Sequence, residues 1–242
     1  MVILCMVFAR SAAMGFNRYA DRFIDAKNPR TEKREVPSGI IKPQAALMFV
    51  IFNALAFIVV CRFINQLVFF LSPVALLVIL VYSLTKKYTM LCHFVLGIGL
   101  SLAPIGAYLA VTGSFALLPV MFSVVVLLWS GGFDIIYALQ DKDFDVQERL
   151  HSIPAFLGIR GALVVSGVTH AAVGALAVII GLFWDFGILY ATGAALFLFL
   201  LLYQHLIVKS DNLSRVNAAF FTSNGVASVV FSIFTVLDTM VL

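Results

Sequence analysis

Asn17, Asp21 and Asp25 follow one another at intervals of four residues. At about 100° per residue, each step of four drifts only about 40° around a helix, so the three side chains share one face. Asp134, Asp141 and Asp145, at intervals of seven and four, repeat the arrangement further along, with Tyr137 and Asp143 close by. A polar stretch with a serine follows each set: Asn28-Pro29-Arg30-Thr31 running to Pro37-Ser38-Gly39, and His151-Ser152-Ile153-Pro154. Two facing sets of carboxylates cannot all stay ionised without cations. Hard oxygen donors suit Mg²⁺, which prefers a few carboxylates plus substrate phosphates to an all-protein cage. A diphosphate bridged by Mg²⁺ to both sets would neutralise them, and the metal would stabilise charge on the leaving group. Arg30 and Arg34 after the first set, and Lys86 with Tyr82 one helical turn before it, are candidates for the remaining phosphate oxygens.

The elements that hold these residues are read from the composition. Of 242 residues, 62% are hydrophobic and 12% charged, with a mean hydropathy of +1.07. A soluble domain carries about 25% charged residues. An ordinary soluble domain is therefore excluded, and the lipid bilayer is the expected partner. Eight apolar spans are expected, at roughly 1–24, 44–62, 65–83, 91–112, 115–139, 161–183, 186–208 and 217–241. Their lack of alternation argues against a membrane β-barrel. Cys5, Cys61 and Cys92 all fall inside apolar runs without ligand spacing, and read as small buried hydrophobes. His93, His170 and His205 also share no ligand spacing and read as structural or interfacial.

Charge sets the orientation. The loops after spans one, three, five and seven hold Lys27, Arg30, Lys33, Arg34, Lys42, Lys86, Lys87, Lys142, Arg149, Arg160, Lys209 and Arg215, twelve of the sixteen basic residues. The opposite loops hold only Arg62. The positive-inside rule puts the basic loops in the cytoplasm and Met1 on the outer side. The net charge of +4 is thus a topology signal, and no nucleic-acid partner is expected. Both acidic sets then lie at the cytoplasmic surface. Either alone could be a solvated loop or a helix end snorkelling to the interface. Two on one side of the membrane point to a built site, since ionisable groups in spans are costly. An ion or proton transporter is the rival class. Its acids belong near the bilayer midplane beside broken helices, whereas these crowd one end.

These residues resemble the motifs of UbiA-type membrane prenyltransferases. The segment from Ala9-Arg10-Ser11 through Asn17, Asp21 and Asp25 to NPRTEKREVPSG is similar to that family's first aspartate-rich motif. YALQDKDFD with LHSIP is similar to the second, and YSLTKKYT to its Tyr-x-x-x-Lys segment. The match covers most of the chain, with three motifs in order. The resemblance implies an all-α, polytopic transmembrane bundle of two pseudo-repeated halves around a central cavity. It implies a Mg²⁺-dependent enzyme moving a prenyl chain from polyprenyl diphosphate to an aromatic acid. Carried over, Asn17, Asp21, Asp25, Asp141 and Asp145 would hold metal, while Tyr82 and Lys86 would hold diphosphate, beside the Arg30 and Arg34 candidates above. Asp134 and Asp141 would act in catalysis, Asp134 polarising the acceptor or stabilising the cation. Arg10, seven residues before Asn17, matches an arginine suggested to face the acceptor's carboxylate. A buried arginine at that position needs an anion.

The family usually has nine spans, one of them before the first motif helix. The expectation for 1–242 is a single domain lacking that helix, and an inactive truncated paralogue is the third reading. At His151 relatives often carry lysine, so His151 is left out of the site. NPRT, YALQD and LHSIP look most like the subgroup acting on 4-hydroxybenzoate in ubiquinone biosynthesis. Enzymes that prenylate 1,4-dihydroxy-6-naphthoate on the futalosine route to menaquinone are similar too. The implied location is the inner membrane, with the site on its cytoplasmic side.

Overall fold

The computed structural model describes residues 1–241 and, among them, no strand longer than an isolated bridge between Lys209 and Asn212. Ten α-helices follow in order: α1 (Val2–Ala20), α2 (Arg22–Asp25), α3 (Pro43–Arg62), α4 (Gln66–Thr85), α5 (Cys92–Thr112), α6 (Leu117–Ala138), α7 (Lys142–Gln147), α8 (Ile153–Phe183), α9 (Ile188–Ile207) and α10 (Asn224–Val241). A 3₁₀ turn, Leu139–Asp141, joins α6 to α7, and a π-turn, Ala218–Ser223, precedes α10. Seven helical stretches among the described residues are long and apolar enough to cross a membrane. The chain is an integral, multi-pass membrane protein. Large apolar side chains such as Phe52, Phe70, Leu77 and Val168 lie exposed along these helices, which suits a lipid solvent. α1 is also long enough to matter here, at 19 residues, but carries Arg10, Asn17 and Arg18 within its length.

The expected spans and the helices agree closely, with two differences. α1 stops at Ala20, because Asp21 turns out of helical geometry (φ −93°, ψ 2°) before a single further turn, α2. α8 begins at Ile153, not near 161, because Ser152 caps it: its hydroxyl accepts from the Ala155 amide, and Pro154 follows in the first turn. Gly158, at φ 69°, then breaks the helix, which is why the apolar pattern only becomes regular beyond it.

The chain divides into two compact units, Met1–Ser123 and Val124–Leu242, with the boundary inside α6. In the first, α1 packs on α3 and α4. Ala12 is fully buried, and a Cβ on Gly15 would lie 3.0 Å from Val50 and 3.2 Å from Phe49, so glycine permits close helix contact. Phe57, Cys61 and Leu76 form a core joined by Cys5, Phe8 and Ala9 of α1. Asn65 caps α4 by accepting from the Val68 amide at 2.9 Å, and donates to the Leu109 carbonyl of α5 at 2.8 Å. In the second unit, buried Asp238 of α10 caps α9, accepting from the amides of Gly187, Leu189 and Tyr190 at 2.7 to 3.1 Å. Three charge-assisted bonds at a helix N-terminus satisfy a carboxylate that apolar surroundings alone would not tolerate.

Candidate active site

In the first unit the acidic set gathers where α1 ends. Asn17 donates through Nδ2 to Asp21 Oδ2 at 2.8 Å, so the four-residue spacing brings the two into contact. The face is not one unbroken helix, because the backbone bends at Asp21. Helical bonding resumes at once, with the Asp25 amide donating to the Asp21 carbonyl at 2.7 Å. Asp25 is buried, and both its oxygens accept from Arg34 Nη1, at 2.8 and 2.9 Å. The intervening segment is a compact turn built on Asp25: Thr31 Oγ1 donates to the Asp25 carbonyl, and buried Asn28 accepts the Arg30 amide on its Oδ1 at 2.9 Å. Arg34 is thereby committed to Asp25, while Arg30 lies exposed.

Basic residues at the end of α4 complete this set. Lys87 donates to the Ala20 carbonyl at 3.5 Å, so the C-terminal ends of α1 and α4 meet. Asp21, beyond the last residue of α1, has its carboxyl pushed up to about 6, chiefly by burial and then by the Asp25 charge; Lys87, Lys86 and Arg34 pull it down. Tyr82, in the last turn of α4, and Lys86, at its C-cap, are both half-buried.

The other expected member on α1 is placed differently. Arg10 lies two turns from Asn17 and is exposed on its unit, not buried. Among the described residues no side chain or carbonyl pairs with its guanidinium.

In the second unit Asp134 ends up half-buried near the end of α6, and Asp141 and Asp145 are buried in the 3₁₀ turn and α7. The seven-and-four spacing therefore does not run along one regular helix. The 3₁₀ turn re-aims it after Ala138. Asp145 Oδ2 accepts from Ser152 Oγ at 2.7 Å, and the same serine caps α8. Asp143, by contrast, is exposed beside Lys142 at 3.3 Å. Tyr137 stacks on Phe220 of the π-turn with ring centroids 4.1 Å apart, and meets Phe221 edge-on. Below them, Asn224 Oδ1 accepts from Trp129 Nε1 at 3.1 Å and Gln204 Nε2 at 2.6 Å. His170 and His205 lie 2.9 Å apart, ring nitrogen to ring nitrogen.

Sequence reasoning passed over Ser152 as a ligand of Asp145, Asn28 and Thr31 as turn builders, and Lys87. The Asn-Pro and Ser-x-Pro patterns are turn and cap signals that pointed to the first three. No sequence signal paired Asp25 with Arg34 or Tyr137 with Phe220.

Among the described residues no three of His, Cys, Asp or Glu converge into a preformed cage. The donor set still fits Mg²⁺. It offers hard oxygens from Asn17, Asp21 and Asp25, and the ionised form of Asp21, disfavoured by burial and then by the Asp25 charge, is one that a cation would stabilise.

The fold and this arrangement define a membrane-embedded, all-helical protein with two acid-rich sets, one of them flanked by lysines. Residues 1–225 match the UbiA prenyltransferase family, and the chain belongs to it. The 4-hydroxybenzoate octaprenyltransferase of Aliivibrio fischeri (strain MJ11) is 31% identical over 242 aligned residues, which cover 95% of this chain and 79% of that protein. The apo structure of a UbiA homologue from Aeropyrum pernix K1 superposes with a TM-score of 0.89 at 30% identity, over 98% of this chain and 88% of that one. A UbiA homologue from Archaeoglobus fulgidus, solved with DMAPP and Mg²⁺, shares the fold at a TM-score of 0.69 and 19% identity, over 96% of this chain and 86% of that one. The expected family, fold class and membrane-enzyme assignment are thus borne out.

Proposed function

We propose that this chain transfers a polyprenyl group from its diphosphate to an aromatic acid of the 4-hydroxybenzoate type, at the cytoplasmic side of the inner membrane. The observation that carries the reading is the first acidic set. Asn17 and Asp21 are in contact, Asp25 is locked by Arg34, and Lys86 and Lys87 act on Asp21 electrostatically. A diphosphate is the ligand chemistry that calls for carboxylates and lysines together.

Asn17, Asp21 and Asp25 would hold Mg²⁺ in the first unit, and Asp141 and Asp145 would hold it in the second. Bound there, the ion would offset the negative charge building on the departing diphosphate. Tyr82, Lys86 and Arg30 would take phosphate oxygens. Arg34 would act mainly by fixing Asp25. Diphosphate leaves with the electron pair of its bond to the allylic carbon. The acceptor ring then attacks that carbon and gives up a ring proton. Asp134, three residues before Tyr137 on α6, would polarise the acceptor or stabilise the developing cation. Arg10 would pair with the acceptor's carboxylate, since a guanidinium on an apolar helix without a protein partner calls for an anion.

The test uses membranes holding this chain, a labelled polyprenyl diphosphate, Mg²⁺ and either 4-hydroxybenzoate or 1,4-dihydroxy-6-naphthoate. Mg²⁺-dependent label in 4-hydroxybenzoate is the expected result. Label only in the naphthoate would keep the reaction and change the acceptor. No product with either, from well-inserted protein, would reject the reading.

A further inference from the structure

Two of the three cysteines touch. Cys5 Sγ of α1 lies 3.7 Å from Cys61 Sγ of α3, which is van der Waals contact between thiols. A disulfide bond is about 2.05 Å long and needs the two backbones to approach closely. At the thiols themselves, Cys5 packs with Phe8 and Ala9 of α1 against the core that Cys61 forms with Phe57 and Leu76. The register agrees. Cys5 lies ten residues before Gly15 and Cys61 eleven after Val50, so on antiparallel helices both thiols lie at nearly the same height.

Placement distinguishes this pair from an ordinary apolar filling. Cys61 is the penultimate residue of α3, beside Arg62 and a short turn, and Cys5 is in the first turns of α1. Both therefore lie at the membrane surface opposite the basic loops, the surface that faces out under the positive-inside rule and where disulfides persist. Cys5 is half-exposed and is the thiol an oxidant reaches first. Cys92, at the start of α5, follows a basic loop and sits at the other surface.

We propose that Cys5 and Cys61 are a redox-closable pair, oxidised to an intramolecular disulfide by a disulfide-bearing oxidant on the outer surface. The Cys5 thiolate attacks the oxidant's disulfide, releasing one oxidant thiol and forming a mixed disulfide. The Cys61 thiolate then displaces the second oxidant thiol. Two protein thiols are oxidised by two electrons, one oxidant disulfide is reduced to two thiols, and the protons pass to them. The product staples α1, which carries Arg10, Asn17 and the approach to Asp21, onto α3.

The full chain in membranes is treated with oxidised glutathione, quenched with excess alkylating reagent in detergent, digested and read by mass spectrometry. The expected result is one linked peptide pair, Cys5 with Cys61, with loss of more than nine-tenths of their alkylated forms. Cys92 should stay fully alkylated, and Cys5→Ser should return Cys61 to the alkylated pool. Equal alkylation of all three cysteines after oxidant would overturn the proposal, as would glutathione adducts without a linked pair. The outcome does not depend on prenyl transfer, so it stands apart from the catalytic reading.

Discussion

Both carboxylate oxygens of Asp25 accept from the same nitrogen of Arg34, Nη1, at 2.8 and 2.9 Å. Nine residues and a tight turn separate the two, and Asp25 is buried while Arg34 keeps 26% of its side-chain surface. Removing Arg34 leaves a buried carboxylate unpaired. Arg34→Ala should cost about 2 kcal/mol, less than for a fully buried pair because water still reaches the arginine. Arg34→Lys should recover part of it. Thermal unfolding in detergent reads both, and equal melting of Arg34→Ala and wild type would mean that the pair contributes nothing.

Asp21 gives a pH prediction. Its folded carboxyl titrates near 6, above the ordinary carboxylate value, so between about pH 4 and 6 the folded chain holds a proton that the unfolded chain has released. Metal-free protein should therefore lose stability as pH rises through that window. Mg²⁺ added at pH 7 should restore it by binding the ionised form. Asp21→Asn should flatten both effects. Melting curves in chelator and in Mg²⁺ test this, and a metal-free stability that climbs from pH 4 to 6 in the wild type but not in Asp21→Asn would contradict it.

Asp21→Ala and Asp141→Ala should each lower prenyl transfer by about a thousandfold or more, the loss expected when charge stabilisation of a leaving group is removed. Membrane insertion should be unchanged. Radiolabel transfer and protease protection are read on the same membranes, and retained turnover in both variants would remove the two residues from the reaction.

Ser152 serves Asp145 and the first turn of α8 with one hydroxyl. Ser152→Ala should cost about 1–2 kcal/mol through the lost cap and lower transfer in parallel. Ser152→Thr should preserve most of both. Comparing the melting temperatures and transfer rates of the two variants checks this, and an unaffected alanine variant would show the hydroxyl to be idle.

Gly132 lies under His170, and a Cβ there would press into the imidazole ring. The ring cannot easily yield, because it is held to His205 at 2.9 Å and to the Trp129 carbonyl at 3.3 Å. Gly132→Ala should destabilise by about 1–3 kcal/mol. Adding His170→Ala should relieve much of the clash, so the double variant should melt above Gly132→Ala. Additive losses would show the two positions to be uncoupled.

The sequence by itself determined the membrane class, the number and approximate limits of the long helices, and the family. Runs of about 20 apolar residues have only one way to satisfy their backbone in lipid, so Pro43–Arg62 or Gln66–Thr85 could be placed without coordinates. Local spacing also brought Asn17 to Asp21, since four residues is one helical turn. What periodicity could not supply was everything that departs from a regular helix or crosses between helices. The bend at Asp21, the 3₁₀ turn before Asp141 and the break at Gly158 each redirect side chains that an ideal helix would have placed elsewhere. The Asp25–Arg34 lock, the Tyr137–Phe220 stack and the Cys5–Cys61 and His170–His205 contacts join residues 9 to 83 positions apart. Which partner a buried polar group or ring finds depends on how helices pack and how the chain turns between them, and only the tertiary structure fixes that geometry.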